Sequence, residues 1–204
     1  MDAALIPVRM LEAVGFCPRQ AWFRFVGSDD VLNVHMERGL RRHAVFDEAE
    51  RDTMSIFRAV PVAAPVLGVV GVLDEVRIEE GELWITEVKA ARPSRFVWLG
   101  IELQLAVQRL ALAEQVARGD WYGPPLPPQD RWRLRVYFSA SRRYREVTWT
   151  DELAARASAA IASAGVILDL AAPPPGRVDR ACYQCQVIDR CMPFESQLLV
   201  EATS

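Results

Sequence analysis

The sequence predicts a single α/β domain in which helices flank a mixed central sheet. Stretches with helical periodicity alternate with short runs of branched and aromatic residues, and helices and strands mixed in this way pack as a sheet covered by helices. The chain has 204 residues, of which 51% are hydrophobic and 25% charged. That length and composition are sufficient for one well-packed globular domain.

The elements can be placed in order from their periodicity and their turn signals. Thr150 is a suitable N-cap for the last long helix, with Asp151 and Glu152 in its first turn. A second hairpin is expected across Ser141-Arg142-Arg143. Helices are predicted over residues 7–26, 31–52, 96–118 and 151–170, and strands over 55–62, either side of 80–81, 132–139 and 145–149.

The first hairpin places two acidic residues opposite each other. Branched and aromatic residues surround Glu80-Gly81, a pattern typical of two strands joined by a tight turn. If these two residues form the loop, Glu79 pairs with Glu82, and counting back along both strands places Asp74 opposite Glu87. Opposed residues on one face have Cβ atoms about 5 Å apart.

Lys89 is the only lysine among the 24 basic side chains. It lies two residues after Glu87 and therefore shares its face of the strand. Two opposed carboxylates repel each other, and a divalent cation held between Asp74 and Glu87, with Lys89 beside it, would relieve that repulsion. Oxygen ligands favour Mg²⁺ or Mn²⁺. The alternative is a solvated charged strip, which the apolar residues around Glu87 disfavour.

Two further polar groups are candidates for the same site. His43, one of two histidines, is predicted on the second helix and could be a ligand for Mn²⁺. Gln104 and Gln108 lie one turn apart on the strongly apolar third helix and could orient a phosphate or a water. From spacing alone, an exposed histidine and an ordinary polar stripe are the better interpretations.

The four cysteines form a metal-ligand pattern. Cys182, Cys185 and Cys191 lie close together near the end of the chain, and Cys17 lies near its beginning. Four thiolates suit Zn²⁺ or an iron–sulfur cluster. A zinc ribbon normally has two CxxC pairs, whereas a single remote cysteine with a compact trio fits a cubane cluster better. Such a cluster would join the two ends of the chain and would be structural.

Charge and hydropathy restrict the partners. The net charge of −3 excludes a general polyanion binder, so any DNA contact must come from local arginines such as Arg41, Arg42, Arg142 and Arg143. No apolar run has membrane-span length, and the acidic start, Met1-Asp2-Ala3, is unlike a signal peptide. These features predict a cytoplasmic protein without membrane contact.

Taken together, the motifs resemble one family over nearly the whole chain: the CRISPR-associated exonucleases with a RecB-type nuclease core and a 4Fe–4S cluster. Six weak motifs in the right order make the resemblance specific. The glutamine motif departs from the family pattern, because Gln108 stands where tyrosine is usual. The matching segments are Gly15-Phe16-Cys17-Pro18-Arg19, Gly39 to His43, Gly71-Val72-Leu73-Asp74, Glu87-Val88-Lys89, Gln104, and the C-terminal cysteine trio.

The resemblance implies a single RecB-like (restriction-endonuclease-like) domain over residues 1–204, with 1–30 and 172–204 forming a 4Fe–4S lobe. It implies that Asp74, Glu87, His43 and the Val88 carbonyl hold Mg²⁺ or Mn²⁺. Lys89 and Gln104 would complete the catalytic site, and the arginine clusters, with Arg19, would contact DNA.

The implied activity is metal-dependent trimming of single-stranded overhangs on spacer precursors, with recognition of the PAM. The implied partners are the CRISPR integrase, to which the chain could be fused, and its small partner subunit. A competing interpretation is a DNA-binding, PAM-holding module that docks to the integrase while its nuclease site is gated or dormant. A DNA-repair nuclease with a similar core is less favoured, because such modules belong to much larger chains.

Overall fold

The structure is a computed structural model that describes residues 5–27, 55–89, 95–176 and 178–195. The helix predicted over residues 31–52 lies outside these ranges, and with it His43, Arg41 and Arg42. Within the described ranges, no helix combines the length and the apolar composition that crossing a membrane requires.

The N-terminal segment is not one helix, as predicted, but a short strand followed by two helices. Strand β1 is Ile6–Pro7, helix α1 is Val8–Phe16, and helix α2 is Pro18–Phe25. Cys17 separates the helices with φ −165° and ψ 125°. A proline clashes with a helical residue before it and is favoured at the first helical position, so Pro18 ends one helix and begins the next.

A mixed sheet forms the centre of the molecule, as predicted. After β1, its strands are β2 Ser55–Ala64, β3 Val69–Glu79, β4 Glu82–Lys89, β5 Trp132–Phe138 and β6 Arg143–Val147. Among the described residues, the strand order is β1-β3-β4-β5-β6, with β2 pairing with β3. The β1–β3 and β4–β5 pairs are parallel, and the other pairs are antiparallel.

The register of the first hairpin is confirmed. Glu79 pairs with Glu82, and the ladder continues to Glu75 and Thr86. Glu80 and Gly81 have φ of 51° and 78°, the left-handed conformations of the turn that best fits twisted strands. Asp74 and Glu87 are therefore the next opposed positions.

Strand β3 changes neighbours at this point. Its first residues, Val69 and Val70, pair with β1, whereas Glu75 to Glu79 pair with β4. Asp74 lies between these two stretches, where β4 no longer supplies ladder hydrogen bonds. The carboxylate of Asp74 lies at the carboxyl-terminal end of β4, beside Val88.

The second hairpin differs from prediction in its second strand. Strand β6 begins at Arg143, within the predicted turn, and Arg143 pairs with Phe138. Arg142 has φ 52°, a left-handed conformation that occurs in tight turns. The chain therefore reverses its direction between Phe138 and Arg143, over fewer residues than predicted.

The longer helices pack on the sheet and on each other. Helix α3 is Arg95–Ala117, and helix α4 is Asp151–Leu168. Thr150 caps α4 as predicted, because its side chain accepts a hydrogen bond of 3.1 Å from the Leu153 N–H. Short 3₁₀ helices span Gln129–Arg131 and Arg180–Gln184, and helix α5 is Ile188–Cys191.

Helices α1 and α3 approach very closely. A Cβ placed on Gly100 would lie 2.3 Å from the carbonyl oxygen of Glu12, and one on Gly15 would lie 2.6 Å from the Cα of Gly100. Only glycine permits such an approach of two backbones. The contact places α1 and α3 together over the carboxyl-terminal part of β4.

Candidate active site and cysteine pocket

Strand β4 presents a carboxylate and an amine to the helix-covered face of the sheet. Ile85, Glu87 and Lys89 alternate along the strand and share this face. Ile85 is fully buried, and Glu87 is only 5% exposed. A buried carboxylate requires partners, and the neighbouring elements supply them.

Both oxygens of Glu87 are contacted. Lys89 Nζ lies 3.0 Å from Oε1, and Gln108 Nε2 donates a hydrogen bond of 2.8 Å to Oε2. Gln108 is 1% exposed, and its own Oε1 has no partner among the described residues. The glutamine that stands in place of the family's tyrosine therefore holds the carboxylate.

Lys89 has two further partners. Its ammonium donates to Gln104 Oε1 at 3.3 Å and to Glu12 Oε2 at 2.8 Å. Gln104 was a predicted site residue, whereas the sequence analysis missed Glu12. One feature of the sequence could have identified Glu12. Helix α1 is apolar except for Arg9 and Glu12, and a carboxylate on a largely buried helix needs a cation nearby.

Asp74 lies beside this group. The Val88 N–H donates a hydrogen bond of 2.8 Å to Asp74 Oδ2, which replaces the ladder bond missing at this position. The charge of Asp74 is close enough to raise the pKa of Glu87. The structure thus brings together Asp74, Glu87, Lys89 and Gln104, with the Val88 backbone alongside.

The surroundings raise the pKa of Glu87 and the pKa of Lys89 for different reasons. Burial raises the pKa of Glu87 and Asp74 adds to the rise, against the opposing effects of Lys89 and Gln108. Burial alone would lower the pKa of Lys89, but Glu87 and Glu12 outweigh it and the pKa is raised. Lys89 is therefore a cation at neutral pH, flanked by two carboxylates.

The predicted arginine contacts are dispersed. Arg142 and Arg143 are exposed at the turn between β5 and β6. Arg19 points instead at the cysteines, where its Nε lies 3.2 Å from Cys191 Sγ and its Nη1 donates to the Pro174 carbonyl at 3.0 Å.

The four cysteines line one pocket between the N-terminal helices and the C-terminal segment. All are free thiols. Gln20 Nε2 lies 3.5 Å from Cys185 Sγ, so the segment after Cys17 supplies N–H donors to sulfurs about 165 residues away. Burial raises the pKa of Cys17, and Cys185 and Cys191 contribute to the rise.

The donor chemistry of this pocket fits an iron–sulfur cluster, because such clusters are held by four cysteine thiolates, a donor set that Zn²⁺ also accepts. The thiols are not gathered around a common centre. Across residues 5–27, 55–89, 95–176 and 178–195, no three His, Cys, Asp or Glu side chains are arranged to hold a metal ion.

Sequence comparison gives relatives that cover almost the whole chain. No family model matches it. It is 30% identical over 207 residues to a CRISPR-associated exonuclease Cas4/endonuclease Cas1 fusion of Geobacter sulfurreducens, and the aligned region covers 96% of this chain and 35% of the relative. It is 26% identical over 211 residues to a CRISPR-associated exonuclease Cas4 of Rhodospirillum rubrum, which covers 95% of this chain and 59% of the relative.

The mixed sheet flanked by helices is consistent with the RecB-like class of fold. The relatives just described support membership of this chain in the family of CRISPR-associated exonuclease Cas4. It spans between about a third and three fifths of the length of the curated relatives it matches.

Proposed function

We propose that this chain is a metal-dependent deoxyribonuclease that trims single-stranded overhangs of spacer precursors and recognises the PAM during CRISPR adaptation. One observation carries the proposal: Asp74 and Glu87 lie together at the end of β4 beside the only lysine. The names of the relatives, a Cas4 exonuclease and Cas4/Cas1 fusions, support a CRISPR-associated nuclease that works with DNA and the integrase.

Asp74 and Glu87, with His43 and the Val88 carbonyl, would hold Mg²⁺ or Mn²⁺. When bound, such an ion lowers the pKa of a water and neutralises charge on a phosphate. Burial, with a contribution from Asp74, raises the pKa of Glu87, so the ionised carboxylate would be stabilised by a bound cation.

The remaining polar residues orient these groups. Lys89 is held charged by two carboxylates, so it is suited to stabilising negative charge on the scissile phosphate rather than to accepting a proton. Gln104 fixes the ammonium, and Gln108 fixes Glu87. Exposed Arg142 and Arg143 are candidates for phosphate contacts that position the strand without reading bases.

We further propose that Cys17, Cys182, Cys185 and Cys191 hold a 4Fe–4S cluster. Its role would be structural, because it would join α1 and α2 to the C-terminal segment. The Arg19 and Gln20 side chains donate toward the sulfurs and would stabilise the negative charge of bound thiolates. The integrase and its small partner subunit are the proposed protein partners.

The test is cleavage of a single-stranded oligonucleotide with Mn²⁺ by the wild type and by Lys89→Ala. We expect the variant to lose at least roughly a hundredfold in cleavage rate, because a charge aimed at the transition state is removed. DNA binding and the circular-dichroism spectrum should change little. Arg118→Ala, which removes an exposed cation just after the end of α3, is the control and should cut normally. Wild-type rates in Lys89→Ala would refute the role.

One observation favours the second candidate, a PAM-holding module with a gated nuclease site. Both oxygens of Glu87 and the ammonium of Lys89 already have partners among the described residues. Measuring cleavage with and without the integrase separates the candidates: activity in its absence supports the nuclease, and activity only in its presence supports gating.

A further inference from the structure

Glu12 makes the shortest contact of Lys89. Its Oε2 lies 2.8 Å from Lys89 Nζ, compared with 3.0 Å for Glu87 Oε1. The side chains of Glu12 and Lys89 are 26% and 19% exposed, respectively, so this ion pair is partly shielded from water. Charge-assisted hydrogen bonds in such surroundings are stronger than surface ion pairs, which contribute little.

The backbone that carries Glu12 is fixed in position. The carbonyl of Glu12 packs directly on Gly100 of α3, at a distance that excludes any side chain there. One turn further along, α3 carries Gln104, the neutral partner of Lys89. Glu12 is therefore supported by the same helix that completes the site, unlike a glutamate on a mobile surface segment.

The two carboxylates that contact Lys89 belong to different elements of the fold. Glu87 is on the same strand, two residues away, and Glu12 comes from α1. With Glu87 as its only ionic partner, Lys89 would be drawn fully onto a carboxylate that the proposed function assigns to a metal. A second anion from α1 holds the ammonium between the two carboxylates and not on Glu87 alone.

We propose that Glu12 is a positioning residue that fixes the ammonium of Lys89 beside the Asp74–Glu87 pair. The inference rests on the proposed function for its catalytic consequence, but the positioning can be measured separately. Glu12 is separated from the acidic pair by Lys89 and acts through it.

The single lysine makes the positioning directly measurable. An amine-reactive acylating reagent forms stable amides only at Lys89 and the chain's amino terminus, and digestion at arginine separates the two peptides for mass spectrometry. Glu12→Gln keeps the size of the side chain and removes its charge. We expect Lys89 to be modified about tenfold faster in this variant, the ratio that corresponds to losing one charged hydrogen bond.

Glu152→Gln is the matched control, since Glu152 is exposed on α4 and far from the site in the chain. It should leave the modification rate unchanged. Thermal unfolding of Glu12→Gln should stay near that of the control, which separates positioning from general loosening. An unchanged modification rate in Glu12→Gln would overturn the proposal, as would an equal increase in the control.

Cleavage kinetics provide the second arm. We expect Glu12→Gln to lower kcat by roughly tenfold with little change in KM, because the ammonium is misplaced and not lost. Glu12→Asp, which keeps the charge on a shorter side chain, should recover part of the rate. A lowered kcat that Glu12→Asp does not recover at all would contradict a role through charge.

The two hypotheses fail in different ways. If the wild type does not cut DNA, the proposed function is refuted, and the modification rates alone decide whether Glu12 positions Lys89. If the wild type cuts and Glu12→Gln has wild-type modification and wild-type kcat, the nuclease assignment stands and the positioning role is wrong.

Discussion

Glu87 combines burial with a charge that its surroundings only partly compensate. Lys89 and Gln108 stabilise the carboxylate, while burial and Asp74 oppose it, and the net effect is a raised pKa. A residue in this condition lowers the stability of the ion-free protein and favours binding of a cation. That trade between stability and function is common at active sites.

This balance predicts a pH dependence of stability. A carboxyl group with a raised pKa in the folded state contributes most to stability below its ordinary pKa of 4.5, and the contribution is lost as pH rises through the raised value. Without divalent ions, we expect the free energy of unfolding of the wild type, relative to Glu87→Gln, to fall as pH rises toward neutrality. Urea unfolding at a series of pH values measures this difference, and a constant or rising difference would contradict the assignment.

At the residue scale, the sequence predicted what local geometry dictates. The positions of Asp74, Glu87 and Lys89 on one face follow from the two-residue turn at Glu80-Gly81 and the alternation of a strand. Glu12 could not be found in that way, because its contact with Lys89 depends on how α1 packs against the sheet and no spacing rule relates distant elements.

At the scale of elements, the contact between α1 and α3 determines where Glu12 lies. It depends on glycine at position 100, where a side chain would meet the Glu12 carbonyl. A side chain at this position would push the two helices apart and move Glu12 away from Lys89.

We therefore expect Gly100→Ala to destabilise the protein by about 1–3 kcal/mol, the usual cost of overpacking. Gly165→Ala on α4 is the control, because its Cβ would lie 3.8 Å from the Ile6 side chain, an ordinary contact. That control should be neutral or stabilising by up to about 1 kcal/mol, since alanine favours a helix over glycine. Urea unfolding checks both, and equal stability of the two variants would show that the helices can separate freely.

Elements with a strong local signal were predicted, and elements defined by tertiary contact were not. The hairpin after Val69 and the helix capped by Thr150 follow from turn residues and capping. Strand β1 is too short to have a periodicity and exists because β3 pairs with it. The break at Cys17 was missed because the apolar pattern continues through it, although Pro18 was a sufficient signal.

For the whole molecule, the cysteine pocket is the place where the two ends of the chain meet. Contacts such as Arg19 to Cys191 link segments 172 residues apart in sequence. Closing so large a loop restricts the unfolded chain more than a short loop would, so a cluster here would contribute substantially to stability.

We expect freshly purified wild type to be brown, with broad absorbance in the iron–sulfur charge-transfer region. Cys185→Ser should be colourless and unfold at a lower temperature, because one of four thiolates is lost. Tyr183→Phe, an exposed change in the same segment, should keep both colour and stability. A soluble brown Cys185→Ser with an unchanged visible spectrum would rule out the cluster assignment.

The order of motifs along the chain predicted the family that the comparisons support, and the mixed sheet was predicted from alternation of helices and strands. The assembly of Cys17 with the C-terminal trio in one pocket needed the full topology, because nothing local brings residues 165 apart together.

Cys17 ends α1 about 7.5 Å along the helix axis from Glu12, at 1.5 Å per residue. A displacement of this thiol therefore moves the segment that holds the ammonium of Lys89. Exposure to air, which attacks iron–sulfur centres, is accordingly expected to remove the proposed cluster and to slow the proposed DNA cleavage before the protein denatures.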